Sequence, residues 1–286
     1  MDPTIRLPAG AEAAAARAGA PEPRMAASVV LLRDGGELEV HLLRRASTMA
    51  FAAGTAVFPG GGLDAGDGEP VPSWVGPDPA WWAERFGTDA DQAMRIVVAA
   101  VRETFEECGV LLACGADGAV PDTSAVSLRR DRERLAAHEI SLADLLTEHD
   151  LTLRADLLVP WALWITPPFE KRRYRTYFLA ARVPDGQTAV GGSREAVSNE
   201  WHQVTQAIRA ADARELPLMP PQYCTMLELY ELGSTAAVFA ADRAMIPVQP
   251  HVEVDTDGPY LALPDALVQL GRRVGEQMYG GDQTVV

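Results

Sequence analysis

"DADQAMRIVVAAVRETFEECG", residues Asp89 to Gly109, reads as one long helix that ends abruptly. Acidic residues stand at its start, good helix formers fill it, and Gly109 is a glycine stop. The run "IVVAAV" at 96–101 is nearly all apolar, so this helix is buried on most sides. Its end, "RETFEE", puts Arg102, Glu103, Glu106 and Glu107 within two turns. Residues three and four apart share a helix face, so the three carboxylates crowd together. Like charges so close repel, and buried helices seldom carry three carboxylates without partners. A divalent cation removes the conflict, and all-oxygen ligands suit Mg²⁺ or Mn²⁺.

A second unusual stretch lies upstream. "FPGGGLDAGD", Phe58 to Asp67, has four glycines and two aspartates. The spacing Gly61-x4-Gly66 suggests a phosphate loop, but such a loop needs Lys next, and Asp67 stands there. No strand–GxGxxG–helix pattern is present either. The loop is therefore no plain nucleotide cradle. If it faces the helix, Asp64, Asp67 and a loop carbonyl are positioned to complete a metal shell.

The chain has 286 residues, 48% of them hydrophobic, enough for one large domain or two small ones with a sizeable core. Forty acidic residues against 25 basic ones give a formal charge of −15. That charge argues against nucleic acid or an anionic membrane as partner, since both need a basic face. The three cysteines form no C-x-x-C pair, which fits a reducing cytoplasm. No apolar run is long enough to span a bilayer. The N-terminal segment lacks the pattern of a secretory signal. It is rich in Ala and Pro, and a loose arm is expected over 1–24.

Along the chain, "MAASVVLLRDGGELEVHLLRR" (25–45) reads as a hairpin turning at Asp34-Gly35-Gly36. "AVFPGG" reads as a short strand entering the glycine loop. Residues 68–88, with four prolines and Trp74, Trp81, Trp82 and Phe86, read as irregular. "SLADLLTEH" is a short helix capped by Ser141, and "VPWALWITP" and "YRTYFLAARV" are strands. "TQAIRAADAR" and "PPQYCTMLELYELG" are helices, the latter with prolines at its start. "MIPVQPHVEVD" is a late strand, and a terminal helix is expected. Alternating strands and helices point to an α/β layered class.

Taken together, the two stretches resemble the Nudix box, G-x5-E-x7-R-E-U-x-E-E-x-G-U, where U is aliphatic. Gly61 matches the first glycine, and Arg102, Glu103, Glu106, Glu107, Gly109 and Val110 match the second half. Asp67 stands where the box has Glu, and Thr104 where it has an aliphatic residue. The box is also split: 34 residues separate Asp67 from Arg102 where seven are expected, an insertion of 27. A split box resembles the subfamily that includes the peroxisomal coenzyme A diphosphatase of animals and its bacterial relatives. "LLRRASTMAFAAGTAVFPGG" is similar to the segment preceding the box there, with Arg45, Gly54 and Phe58 in place and Ala50 where a second arginine is usual. "WITPPFEKRRYRTYFLA" and "MPPQYCTMLELYEL" are similar to downstream segments.

The resemblance implies an α/β/α sandwich with a mixed sheet, a Nudix domain over 25–215 with its insertion at about 68–94, and a helical extension over 216–286 packed on it. It implies metal-dependent hydrolysis of a diphosphate in a small molecule such as coenzyme A or an acyl ester. ADP-ribose, NADH or a nucleotide sugar are alternative substrates, and a non-catalytic nucleotide sensor is a third reading. Glu103, Glu106, Glu107 and the Gly61 carbonyl become the ligands for Mg²⁺ or Mn²⁺. Arg102 orients a neighbouring carboxylate through a bidentate pair. Arg45, Phe58, Arg172 and Arg173 become candidates for holding the substrate. The general base is a box glutamate or a later acid such as Glu195. The aromatic residues of the insertion form a lid or a substrate wall, or else a small satellite core or a dimer contact, so a homodimer stays open. The closing "TVV" is no peroxisomal address, and a cytoplasmic protein is expected.

Overall fold

The computed structural model describes residues 5–8, 19–45, 54–190 and 196–280. In chain order, β1 (Ile5–Arg6) precedes a hairpin of β2 (Arg24–Asp34) and β3 (Leu38–Arg45). Then come β4 (Ala56–Val57) and β5 (Gly60–Gly62), a 3₁₀ turn at Ala65–Gly68, and β6 (Trp74–Val75). Helix α1 (Pro79–Phe86) leads into the long α2 (Ala90–Cys108), followed by β7 (Ala113–Gly115), α3 (Val126–Ala136) and α4 (Leu142–Glu148). β8 (Leu151–Arg154), β9 (Leu158–Ile165), β10 (Tyr174–Arg182) and β11 (Ala196–Gln203) complete the middle of the chain. The C-terminal part is α5 (Val204–Asp212), α6 (Pro220–Leu232), α7 (Thr235–Ala240), β12 (Pro247–Val248), β13 (His251–Asp255), β14 (Gly258–Ala262) and α8 (Asp265–Tyr279).

The main sheet runs β11-β3-β2-β10-β9-β12, with β4 on β3 and β5 on β2. It is mixed: β2 pairs antiparallel with β3 but parallel with β10, from Arg24 opposite Tyr174 to Leu32 opposite Arg182. Side chains alternate across a strand, and β2 and β10 use that period to serve two cores. Ala27, Val29, Leu31, Tyr177 and Leu179 face the core that holds α2. Val30, Leu32, Phe178 and Ala180 face the opposite core, with Ile208 of α5, Met226 of α6 and Val274 of α8. The result is helix, sheet, helix. Residues beyond 216 fill the second core and add β12 to the main sheet.

Several elements differ from the sequence expectation. Residues 68–88 are not irregular throughout, because Pro79–Phe86 is helical. Asp78 caps it by accepting from the Trp81 amide at 2.8 Å, and Pro79 occupies the first turn, where its missing N–H costs nothing. The aromatic residues of this insertion form neither a lid nor a separate core. Trp82 is fully buried and Phe86 buried in the α2 core, where the Phe86 ring lies 5.2 Å from the Tyr177 ring. The arm at 1–24 is not loose throughout: Ile5 and Arg6 pair with Leu261 and Tyr260 of β14. The late strand is two, since Pro250 interrupts the run between β12 and β13.

Candidate active site

The site forms where the glycine loop meets the last two turns of α2. β5 pairs antiparallel with β2, and the Gly60 conformation (φ 155°) presses it so close that a Cβ there would run into Ala27 and Ser28. One step along, a Cβ on Gly61 would overlap the Glu103 carboxylate. Glycine is required at 60, where the clash is with the β2 backbone, and at 61 a side chain would push the Glu103 carboxylate out of its place. The Gly60 amide donates to Glu107 Oε2 at 2.8 Å, joining the two halves directly.

Arg102 is the hub. Its Nε and Nη2 donate to Asp67 Oδ1 and Oδ2 at 2.8 and 3.1 Å, a two-pronged pair, and Nη2 also donates to the Gly62 carbonyl at 2.9 Å. Its Nη1 reaches Glu103 Oε1 at 2.9 Å and Glu106 Oε1 at 3.3 Å. Asp67 is 1% exposed and also accepts from the Asp64 amide at 2.7 Å. It therefore lies beneath the cleft as the partner of Arg102. Thr104, at the position where the box has an aliphatic residue, is fully buried, and its hydroxyl donates to the Ala100 carbonyl at 2.7 Å. That bond within the helix satisfies the hydroxyl and lets it stand in the core.

The electrostatics follow from burial. Desolvation is the largest cause that pushes the Glu103 carboxyl up to about 8, with repulsion from Glu107 and Glu106 adding to it and Arg102 opposing. Burial likewise raises Glu106. Arg102 is raised as well: its own burial works against its charge, but the hydrogen bond to Asp67 and the neighbouring carboxylates outweigh that and keep the guanidinium charged. Among the described residues no three His, Cys, Asp or Glu side chains already converge on one point as a closed metal cage. The donors fit a hard divalent ion in kind: Glu103, Glu106 and Glu107 are all oxygen donors lining one cleft, and the Arg102 guanidinium that reaches Glu103 and Glu106 is already paired with Asp67.

These groups line a cleft of about 1420 Å³. Of the residues singled out from sequence, Arg45, Phe58, Gly61, Asp64, Arg102, Glu103, Glu106, Glu107 and Arg172 line it. Arg173 faces elsewhere and donates to the Thr166 and Pro21 carbonyls at 3.0 and 2.8 Å. Glu195 and Ala50 lie outside the described residues.

The sequence reading missed one wall, formed by α3. Arg132 on α3 donates to the Glu106 carbonyl at 3.1 and 2.9 Å, placing a cation on the C-terminal end of α2, where the helix dipole favours it. Burial lowers its pKa. Past the end of the helix, His138 Nδ1 lies 2.9 Å from Asp64 Oδ2. The cue was "RRDRERLAAH", in which Arg129 and Arg132 sit three apart on one face. Also missed were Gln222 at the start of α6, and Ile5 and Leu261, where the N-terminal strand and the C-terminal hairpin meet at the cleft rim.

Behind the box helix lies a buried group of side chains. Cys108 Sγ is 3.4 Å from His41 Nδ1, and Asn199 Nδ2 donates to the Glu107 carbonyl at 3.5 Å. Burial lowers the His41 imidazole to about 4 and raises the Cys108 thiol well above its usual value, so the pair is neutral packing.

Comparison with known proteins agrees with this geometry. The family model described as NUDT19 Nudix domain matches residues 82–229, just over half of the chain. A Caenorhabditis elegans protein named putative nudix hydrolase 7 is 29% identical over 210 residues, covering 73% of this chain and 61% of that protein. This chain thus spans about three fifths of the length of that relative. The human protein named acyl-coenzyme A diphosphatase NUDT19 is 27% identical over 276 aligned positions, covering 78% of this chain and 70% of its own. The fold is shared with the crystal structure of a Nudix hydrolase from Alicyclobacillus acidocaldarius, with a TM-score of 0.65 at 24% identity, covering 80% of this chain and 100% of that one. With the family model spanning more than half of its length and both halves of the split box meeting at one cleft, the chain belongs to the Nudix hydrolase family.

Proposed function

We propose that this protein hydrolyses the diphosphate bond of a nucleoside diphosphate linked to a second moiety, with coenzyme A or an acyl-coenzyme A the favoured substrate. The observation that carries the reading is the junction of loop and helix. Arg102 binds Asp67 and the Gly62 carbonyl, so that Glu103, Glu106 and Glu107 face one cleft together. The names of the vertebrate relatives, acyl-coenzyme A diphosphatases, support the choice of substrate.

In this reading Glu103, Glu106, Glu107 and the Gly61 carbonyl hold Mg²⁺ or Mn²⁺. Bound there, the ion supplies charge neutralisation at the diphosphate. Arg102 fixes the carboxylates rather than touching substrate. Arg45 and Arg172 reach the cleft from its sides and grip phosphate oxygens, for which the planar guanidinium is suited. Phe58 lines the same cleft and offers an apolar contact. Water adds to one phosphorus, its bond to the bridging oxygen breaks, and two phosphomonoesters leave. The chain is strongly acidic, so recognition of an anionic substrate rests on these few local cations.

The test is a panel assay of the purified protein in Mg²⁺ or Mn²⁺ with coenzyme A, an acyl-coenzyme A, ADP-ribose, NADH and nucleoside triphosphates, with products resolved by mass spectrometry. Release of 3′,5′-ADP with a phosphopantetheine is the expected result. Preferred cleavage of ADP-ribose or NADH would move the substrate assignment, and no turnover of any of them would favour a nucleotide sensor.

A further inference from the structure

The cleft continues past the box to the start of α6, where it has a different chemistry. Ala56 of β4 donates to the Pro217 carbonyl at 2.8 Å and bridges to Leu218. The strand that leads into the glycine loop thus also docks the segment entering α6. Met219 is the cap residue of that helix and supplies no side-chain bond, and Pro220 and Pro221 fill its first two positions. A helix start usually attracts anions through free N–H groups. Two prolines remove those donors here, so this end of the cleft is not built for a phosphate.

The next residue is Gln222. It lines the cleft and is 7% exposed, and its Oε1 has no hydrogen-bond partner. Buried side-chain amides in folded proteins are normally paired. The same cleft has apolar walls: Leu218 and Phe178 line it with Phe58, and the two rings meet edge to face at 6.2 Å. A neutral amide beside aromatic and aliphatic walls suits a flat, uncharged ring with a hydrogen-bond donor next to an acceptor. Adenine has that edge. Its 6-amino group lies beside the acceptor N7, and a glutamine side chain pairs with that N6/N7 edge in a two-pronged way.

We propose that Gln222 selects the base of the substrate, reading the 6-amino edge of adenine at the start of α6. This rests on the reading of the cleft as a diphosphate-hydrolase site, but its test does not require turnover. Binding of AMP and of inosine monophosphate to the metal-free full chain is measured by calorimetry. Inosine carries a 6-keto group beside the same N7, so that edge offers two acceptors and the glutamine oxygen finds no donor there.

The wild-type chain should favour AMP by about 5- to 150-fold, the range one well-made two-pronged base contact gives. Gln222→Leu should bring the two affinities together mainly by weakening AMP. Gln222→Glu, which keeps an acceptor but loses the amide donor, should fall between. Equal binding of the two nucleotides by wild type, no binding of AMP, or undiminished preference in a folded Gln222→Leu chain would each overturn the proposal. The wild-type comparison decides even if a variant fails to fold. A Gln222-dependent preference for AMP in a chain that cleaves no diphosphate would sink the hydrolase reading and leave this one standing.

Discussion

Arg102 and Asp67 are a buried pair that holds two halves of a motif together from 35 positions apart. The pair is tightly built, so removing Arg102 leaves the Asp67 charge buried without its cation, held by the Asp64 amide. Arg102→Ala should therefore cost about 3–5 kcal/mol of stability, the range for breaking a buried ion pair. Adding Asp67→Asn to that variant should recover part of the loss, because the stranded charge is gone. Urea denaturation of the two single variants and the double variant measures this. Equal losses in Arg102→Ala and the double variant would show that the charge on Asp67 is not what Arg102 serves. Glu107 plays another part. Its carboxylate accepts from the Gly60 amide at 2.8 Å, and glutamine can keep that acceptor. Glu107→Gln should fold with unchanged thermal stability while turnover falls by roughly 100-fold or more, the scale seen when one charge-stabilising group is removed. Full activity at saturating Mg²⁺ would end the assignment of Glu107 as a ligand.

At the scale of the element, α2 does two jobs. Its first half is held by the insertion, through α1, and its last two turns carry the site. Trp82 of α1 is completely buried in the α2 core. Trp82→Ala should cost about 3–5 kcal/mol, the usual range for truncating a large core aromatic, and its chemical denaturation midpoint should drop accordingly. Removing residues 69–88 altogether should unfold α2 rather than merely alter substrate choice, which the loss of helical circular dichroism would report. This tie was not legible in the sequence. The prolines at 70, 72, 77 and 79 read as breakers, whereas Pro79 starts a helix and Asp78 caps it. The box helix was legible because its apolar run, acidic start and glycine stop are all local signals. The hairpin of β2 and β3 was legible for the same reason. The partner of Asp67 was less so, since bidentate pairing depends on how loop and helix meet. Gln222 left no trace, because a glutamine in an apolar helix is marked only by what surrounds it in space.

The whole molecule has a pH dependence set by its buried acids. The folded chain keeps the Glu103 proton up to about 8, against an ordinary value of 4.5. Folded protein thus binds that proton more tightly than unfolded chain does. The contribution of this carboxyl is greatest below pH 4.5 and is lost as the pH rises towards 8. Without divalent ions, wild type should lose stability relative to Glu103→Gln between pH 5 and pH 8, as followed by melting temperature. Mg²⁺ or Mn²⁺ should restore more at pH 8 than at pH 5, because an ionised carboxylate is the form that binds metal. A cation effect independent of pH would place the ion elsewhere. The strand order has a consequence of another kind, in time. β2 lies between β3 and β10, and its parallel partner β10 comes about 150 residues later in the chain. At ribosomal rates of about 5–20 residues per second, that is roughly 8–30 s of synthesis. Throughout that interval the nascent β2–β3 hairpin is on hand with apolar side chains on both faces and an unpaired edge. Overproduction of this protein should therefore depend on chaperone supply or slowed translation, with the soluble fraction rising under either.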